Sequence, residues 1–209
     1  MITLHDTTAD PADPGDTGLS LAEHASALLE GLGIGTDSPP TKGTGRRLAT
    51  AMRNLTYGLH LNPGRYLQTL THHTPDGPGT PSTYVAVRAI PVRGLCTCHA
   101  LPYTGAVDVA HLPSENGALY LHARQITRFT QAHAARPTNA ELLACCVAQG
   151  LDARLGENSA GVAVRAVLRP SCALLHDIGP DTAAAAFYTT RALTGPAHHA
   201  AILTTWSTQ

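Results

Sequence analysis

The hydrophobic period of the chain changes twice between residues 84 and 192, and those changes restrict its fold more than any other feature. Residues 84–93 (YVAVRAIPVR) and 105–112 (GAVDVAHL) are β-branched and roughly alternating, the period of strands. Two helical patterns follow, over about 122–134 and 138–153. The second opens on Pro137 and a Thr138-x-x-Glu141 pair, whose hydroxyl and carboxylate predict a capping box. Residues 161–168 and 184–192 return to strand character, and a short apolar helix is predicted over about 197–205. The ββααββ order implies an α+β fold, a four-stranded antiparallel sheet with both helices on one face. A sheet covered on one face only has open edges and is expected to assemble with copies of itself.

Ahead of this domain, assigned to residues 83–209, the period is helical. Residues 1–17 read as a flexible leader and 18–82 as a helical region. Leu21, Ala25, Leu28, Leu29 and Leu32 recur at helical spacing before Gly33 and Gly35. After a connector over 36–45, Leu48, Ala51, Met52 and Leu55 fall at i, i+3, i+4 and i+7 on one face. A third, short helix is predicted over 63–71, and the Pro/Gly-rich stretch 74–82 (TPDGPGTPS) separates this region from the strands.

With 209 residues, 43% apolar and 14% charged, the chain can bury a core and suits one domain with a helical extension. Fourteen Lys and Arg against fifteen Asp and Glu argue against a protein that coats nucleic acid or an anionic membrane. No apolar run approaches the roughly 18–20 residues of a membrane span. The first sixteen residues are acidic and Pro-containing, unlike a secretory signal, so a cytoplasmic location is expected. In a reducing compartment the five cysteines are expected to be buried, metal-bound or catalytic rather than bridged.

The sharpest local feature is Cys96-Thr97-Cys98-His99, directly after the first strand pattern. A turn bearing Cys-x-x-His lets a thiolate and an imidazole converge on one cation, and Zn²⁺ favours such mixed ligands. A further ligand must come from elsewhere, and Cys172, after the third strand pattern, is the natural candidate. Adjacent residues of a tight turn point in different directions, so Cys98 is expected to stay off the metal that His99 binds. Cys145 and Cys146 read as core packing, whereas His122, His133 and the His198-His199 pair read as exposed.

The stretch 87–113 (VRAIPVRGLCTCHALPYTGAVDVAHLP) resembles the first hairpin of the GTP cyclohydrolase I family, which carries a Cys-Glu-His-His segment. Residues 125–131 (QITRFTQ), 135–137 (ARP) and 141–143 (ELL) resemble its helix pair, and 44–49 (TGRRLA) its N-terminal Thr-Pro-x-Arg-x-Ala motif. The resemblance covers roughly residues 19–205. It implies the tunnelling fold and a ring-like, decamer-like homo-oligomer with active sites at subunit interfaces. It also implies a small-molecule substrate and Zn²⁺ held by Cys96, His99 and Cys172, with a fourth position open for water. In the family that water, as hydroxide, adds to C8 of a guanine ring; ring opening, formate loss and recyclisation follow. Glu141, Arg128, Arg124 and Gln125 fall at or beside the family's substrate-binding positions.

Departures cluster at the implied active site. The family's Glu and first motif His are Thr97 and Cys98 here, and a His two residues before the third ligand is Pro170. Arg124-Gln125 stands where the family has Ser-Lys, and His176-Asp177 where it has Arg-Gly. Cys98 and His176 are therefore the candidate catalytic groups. The implied function is a zinc-dependent enzyme with a diverged heterocyclic or carbonyl substrate in specialised biosynthesis. Its reaction would be hydrolysis, dehydration or cyclisation, with zinc-bound water or zinc as Lewis acid. Two alternatives stand beside it: an authentic GTP cyclohydrolase with substituted acid/base groups, and a degenerate zinc-binding regulatory subunit.

Overall fold

The computed structural model describes residues 20–72, 84–114, 119–176 and 182–195, with 179, 198, 200, 202, 204 and 206. The leader over 1–17, the 74–82 stretch, Asp177 and His199 lie outside the described residues. The chain divides into two compact units at Asn54/Leu55.

The first unit holds α1 (Leu21–Gly31) and most of α2 (Thr44–Thr56). A capping box starts α1: the Ser20 hydroxyl accepts from the Glu23 backbone N–H, and the Glu23 carboxylate accepts from that of Ser20 at 2.6 Å.

In the second unit the helix predicted over 63–71 is reduced to a 3₁₀ turn, Pro63–Leu67, which follows another at Tyr57–His60. Arginine side chains take up carbonyls around these turns: Arg154 donates to those of Leu67 and Gln68, and Arg136 to those of Gly58 and Leu61. The next elements are β1 (Thr71–His72), β2 (Val85–Leu95), β3 (Pro102–Pro113) and β4 (Leu119–Tyr120). They are followed by α3 (Ala123–Ala134), α4 (Ala140–Leu155), β5 (Ser159–Pro170) and β6 (Ala184–Thr189). The sheet is antiparallel throughout, in the order β2-β3-β5-β6; β1 and β4 form a separate, unanticipated pair.

One face of the sheet carries Ile90, Val92, Val107, Val109, Val164 and Ala166, and α3 and α4 pack on it through Ile126, Phe129, Leu143, Val147 and Leu151. Gly94 sets how closely α3 approaches, since a Cβ there would lie 2.1 Å from the Ala134 carbonyl oxygen. That carbonyl accepts the Tyr103 hydroxyl at 2.6 Å instead, and burial pushes the Tyr103 phenol well above its usual range. The opposite face is not bare, as one-sided packing would leave it. Ala110, Leu112 and Ala163 there meet Leu193, Ile202 and Trp206, because the chain returns after β6 and lays the apolar side of its last helical residues on them. At the β2 edge the register shifts between Val87 and Ile90, and Ala89, at φ 52°, donates its N–H to Asp108 Oδ1 at 2.8 Å.

The predicted capping box of α4 does not form. Thr138 is held in a parallel bridge with Cys96, its N–H donating to the Leu95 carbonyl and its own carbonyl accepting from Thr97. The helix therefore begins one residue later, with Asn139 Oδ1 accepting from the Leu142 N–H at 2.8 Å. Glu141 is left exposed in the first turn with no capping partner to hold. Among the described residues no helix is long and apolar enough to cross a membrane.

Candidate metal centre

The β2–β3 connection and the segment after β5 meet at one end of the sheet, where Gly94 pairs with Tyr103 and Tyr103 with Pro170. The first turn is closed by hydrogen bonds from Cys96 N–H to the Leu101 carbonyl and from Ala100 N–H to the Cys96 carbonyl. Ala100 completes it in the left-handed region, at φ 52°. The second is the 3₁₀ turn Ser171–His176, which carries Cys172.

These two turns bring the Sγ atoms of Cys96 and Cys172 and a ring nitrogen of His99 within 4.8 Å of one another. The two sulfurs stand 3.8 Å apart. Two thiolates on one tetrahedral Zn²⁺, each at about 2.3 Å, are separated by about 3.8 Å. The soft S₂N donor set suits the same ion, and three protein ligands leave a fourth position open. The residues present therefore fit zinc. Burial works against a thiolate at Cys96, but backbone hydrogen bonds led by the His99 N–H, 3.3 Å from the sulfur, bring its pKa below the ordinary thiol value. Burial raises the Cys172 thiol, and the hydrogen-bonded Cys96 sulfur raises it further.

Beside the three ligands lies a cavity of about 160 Å³. Tyr103, Leu168 and Pro170 give it apolar walls, and Thr138 and Ala140 come from the start of α4. Cys98 lines this cavity and is outside the convergent ligand set. The exposed His176 ring lies 5.1 Å from that of His99, tilted by 56°. Leu174 and Leu175 on the same turn are more than 60% exposed, an apolar rim.

The other candidate residues are elsewhere. Arg124 and Arg128 are exposed on the first turns of α3, while Ala134, at its far end, abuts Gly94 near the cluster. At 1.5 Å per residue, Arg128 and Arg124 lie about 9 and 15 Å along the helix from that end. Arg128 rests over the Tyr66 ring, 6.0 Å from its centroid. Both ends of the Gln125 amide are engaged: Oε1 accepts from the His122 N–H and Nε2 donates to the Thr69 carbonyl.

Two histidines depart from, or escaped, the sequence reading. His133, expected to be exposed, is half-buried with its ring 4.6 Å from that of Phe129, and burial, with Arg136 nearby, lowers its pKa to about 4. His111 on β3 is 3% exposed; burial lowers its pKa to about 4 against the opposing pull of the Asn158 carbonyl and Asp152. The alternation of β3 was the signal for the second, because it puts His111 on the same face as Val109.

The fold and the cluster define an α+β protein whose sheet end brings together a Cys-His-Cys set able to hold a metal ion. The family model for GTP cyclohydrolase I matches residues 21–202, and the chain belongs to that family as a divergent member. It is 28% identical over 139 residues to GTP cyclohydrolase 1 of Mycobacterium ulcerans, covering 66% of this chain and 65% of that protein. With GTP cyclohydrolase 1 of Rhodopirellula baltica it shares 30% identity over 151 residues, covering 72% and 61%. The matched region thus spans somewhat under two thirds of these relatives. A solved dihydroneopterin aldolase from Burkholderia thailendensis, bound to guanine, has a TM-score of 0.37 and 16% identity, covering 53% of this chain and 91% of that one.

Proposed function

We propose that the chain is a zinc-dependent enzyme of the tunnelling-fold type whose substrate has diverged from GTP to another heterocyclic or carbonyl compound. The convergence of Cys96, His99 and Cys172 beside a cavity lined by Cys98 and walled by Pro170 carries this reading. Those three residues hold the metal, which when bound supplies a Lewis acid and an activated water near neutral pH. Around it, Cys98 Sγ and the His176 imidazole hold and move the proton that hydrolysis, dehydration or cyclisation requires. Pro170 has no titratable group, so no proton passes at its position. Glu141, free of capping duty, accepts an N–H pair from an amidine-like or lactam-like ring edge at the start of α4. Arg124 and Arg128 reach a substrate anion from a neighbouring copy in a ring-like homo-oligomer, and Gln125 holds the start of the helix that carries them. We place this enzyme in the cytoplasm, in a specialised biosynthetic pathway.

The preserved Glu141 and Arg128 favour a second reading, an authentic GTP cyclohydrolase in which Cys98 and His176 substitute for the family's acid/base groups. Incubating the zinc-loaded protein with GTP and measuring formate and pterin separates the two. Less than a tenth of the turnover of the Mycobacterium ulcerans relative, under the same conditions, is expected. Equal turnover would overturn the diverged-substrate reading in favour of the second.

A further inference from the structure

A second cavity, of about 690 Å³, lies among the 3₁₀ segment around Leu61 and Leu67, α3 and α4, and shares no lining residue with the cavity beside the metal ligands. Its lining contains Arg136 and Arg154 and, among the described residues, no Asp or Glu. His60 and His133 also line it, and as neither histidine can supply negative charge the two arginines leave the cavity's net charge positive. Arg136 is near enough to push down both the His133 imidazole and, against burial, the Cys146 thiol.

Both arginines are built in rather than dangling. Arg136 donates Nε and Nη2 to the carbonyls of Gly58 and Leu61, at 2.8 and 2.9 Å. Arg154 uses the same two nitrogens on Leu67 and Gln68. Each keeps Nη1 without a hydrogen bond among the described residues, on a guanidinium already fixed by the backbone. An anion recognised there would incur little further loss of side-chain freedom. The remaining wall is apolar: Leu61, Leu67 and the Phe129 ring. Gly150 makes room for that ring, since a Cβ at this position would stand 2.5 Å from Phe129 Cζ.

We propose that this cavity is a binding site for a small amphipathic carboxylate, its anionic end at Arg136 and Arg154 and its aryl or alkyl body against Phe129, Leu61 and Leu67. Two fixed cations with no counter-charge in the lining select an anion, and the apolar wall selects a ligand with an organic body over a bare ion. The site is separate from the metal centre, so the inference stands or falls independently of the proposed reaction.

The half-buried Cys146 thiol in the same lining provides the readout. The full-length, zinc-loaded protein is treated with N-ethylmaleimide, and labelling is located by peptide mass spectrometry, with the exposed Cys98 as internal reference. The probes are 4-phenylbutyrate and octanoate, their uncharged amides, and inorganic phosphate, each raised to about 10 mM, a range suited to fragment-sized ligands. The acids should slow Cys146 labelling at least about fivefold and saturably, the amides and phosphate far less, and Cys98 should be unaffected. Arg154→Gln should weaken protection by the acids about tenfold or more and leave the amides unchanged. If Cys146 resists labelling in the free protein, calorimetric titration with the same probes replaces it. Equal protection by acid and amide would reduce the site to an apolar groove and overturn the proposal, as would protection by phosphate alone or by nothing. The acid–amide comparison needs only the unsubstituted protein, so it decides the matter even if Arg154→Gln does not fold.

Discussion

The two cavities of this molecule are assembled by different means. At the candidate metal centre the backbone does the positioning: two strands finish at the same end of the sheet, two short turns follow, and donor atoms 76 residues apart in sequence meet at 3.8 Å. At the arginine-walled cavity side chains do the positioning, because Arg136 and Arg154 reach out from the helical layer and seize the carbonyls of an irregular segment. The first geometry follows from strand register and turn closure. The second depends on long, flexible side chains that only the finished packing can fix. The difference teaches which kind of site a sequence announces in advance.

The largest effect should come from breaking the backbone-built centre. Cys172→Ala removes one of three ligands, and the chain should lose at least about 100-fold in zinc affinity, with little or no metal retained through purification. Cys145→Ala, a half-buried thiol outside the cluster, should retain about one zinc per chain. Metal analysis of both variants checks this; retention in the first with loss in the second would move the site elsewhere.

Acid tests the folded frame that both cavities share, and it is best read on metal-free protein so that zinc release does not contribute. His111 is buried and uncharged, with a folded pKa of about 4 against 6.5 for the free side chain. The unfolded chain therefore binds the extra proton first. The stability this provides is fully present above about pH 6.5, falls as pH drops through the window down to 4, and is gone below it. That depression corresponds to about 3 kcal/mol, and His133, lowered to the same value, adds a comparable amount over the same window. Denaturant titrations at pH 7 and pH 4 should show this loss, and His111→Leu should remove about half of its pH dependence. An unchanged slope in that variant would show that other groups control the acid response.

How legible each region was follows from the same distinction. Strand and helix periods, together with Cys-x-Cys-His and Cys172, point to both turns on which Cys96, His99 and Cys172 converge. The one-residue shift of the α4 cap was not legible, because Thr138 is withdrawn by a bridge to Cys96 that joins segments 42 residues apart. Neither were the 3₁₀ turns at 57–67, since nothing local says that arginines at 136 and 154 will take their carbonyls. His133 looked like an exposed helix residue because its cover comes from packing with Phe129 and Arg136, not from period. The arginine-walled cavity escaped for that reason too: its lining is scattered from Leu59 to Arg154 with no motif.

Within the metal centre, Cys98 separates ligation from chemistry. Its thiol lines the cavity but is outside the convergent set, so Cys98→Ser should leave zinc content near normal. Activity on the substrate that the protein turns over should fall about tenfold or more, toward the range of a lost proton carrier. Lost zinc would make Cys98 a ligand after all, and unchanged activity would make it a spacer.

The smallest effect probes how strictly the backbone controls the centre. Ala100 holds φ at 52°, where an L-residue with a Cβ is strained by about 1 kcal/mol relative to glycine. Its N–H closes the turn onto the Cys96 carbonyl at 3.1 Å, so the strained residue fixes the angle at which Cys96 and His99 are presented. Ala100→Gly relieves that strain but gives the unfolded chain more freedom to lose, which costs about 0.4–1 kcal/mol. The two terms nearly cancel, and unfolding of the metal-free protein should shift by no more than about 0.5 kcal/mol. Zinc affinity should respond differently. A glycine turn samples more conformations before the metal arrives, so affinity should fall about two- to fivefold while stability stays level, because the ordering that Ala100 completes in advance then falls to metal binding. Competition against a chromogenic chelator resolves a difference of that size. An unchanged affinity would mean that the ligands themselves, rather than the turn, set the geometry of the centre.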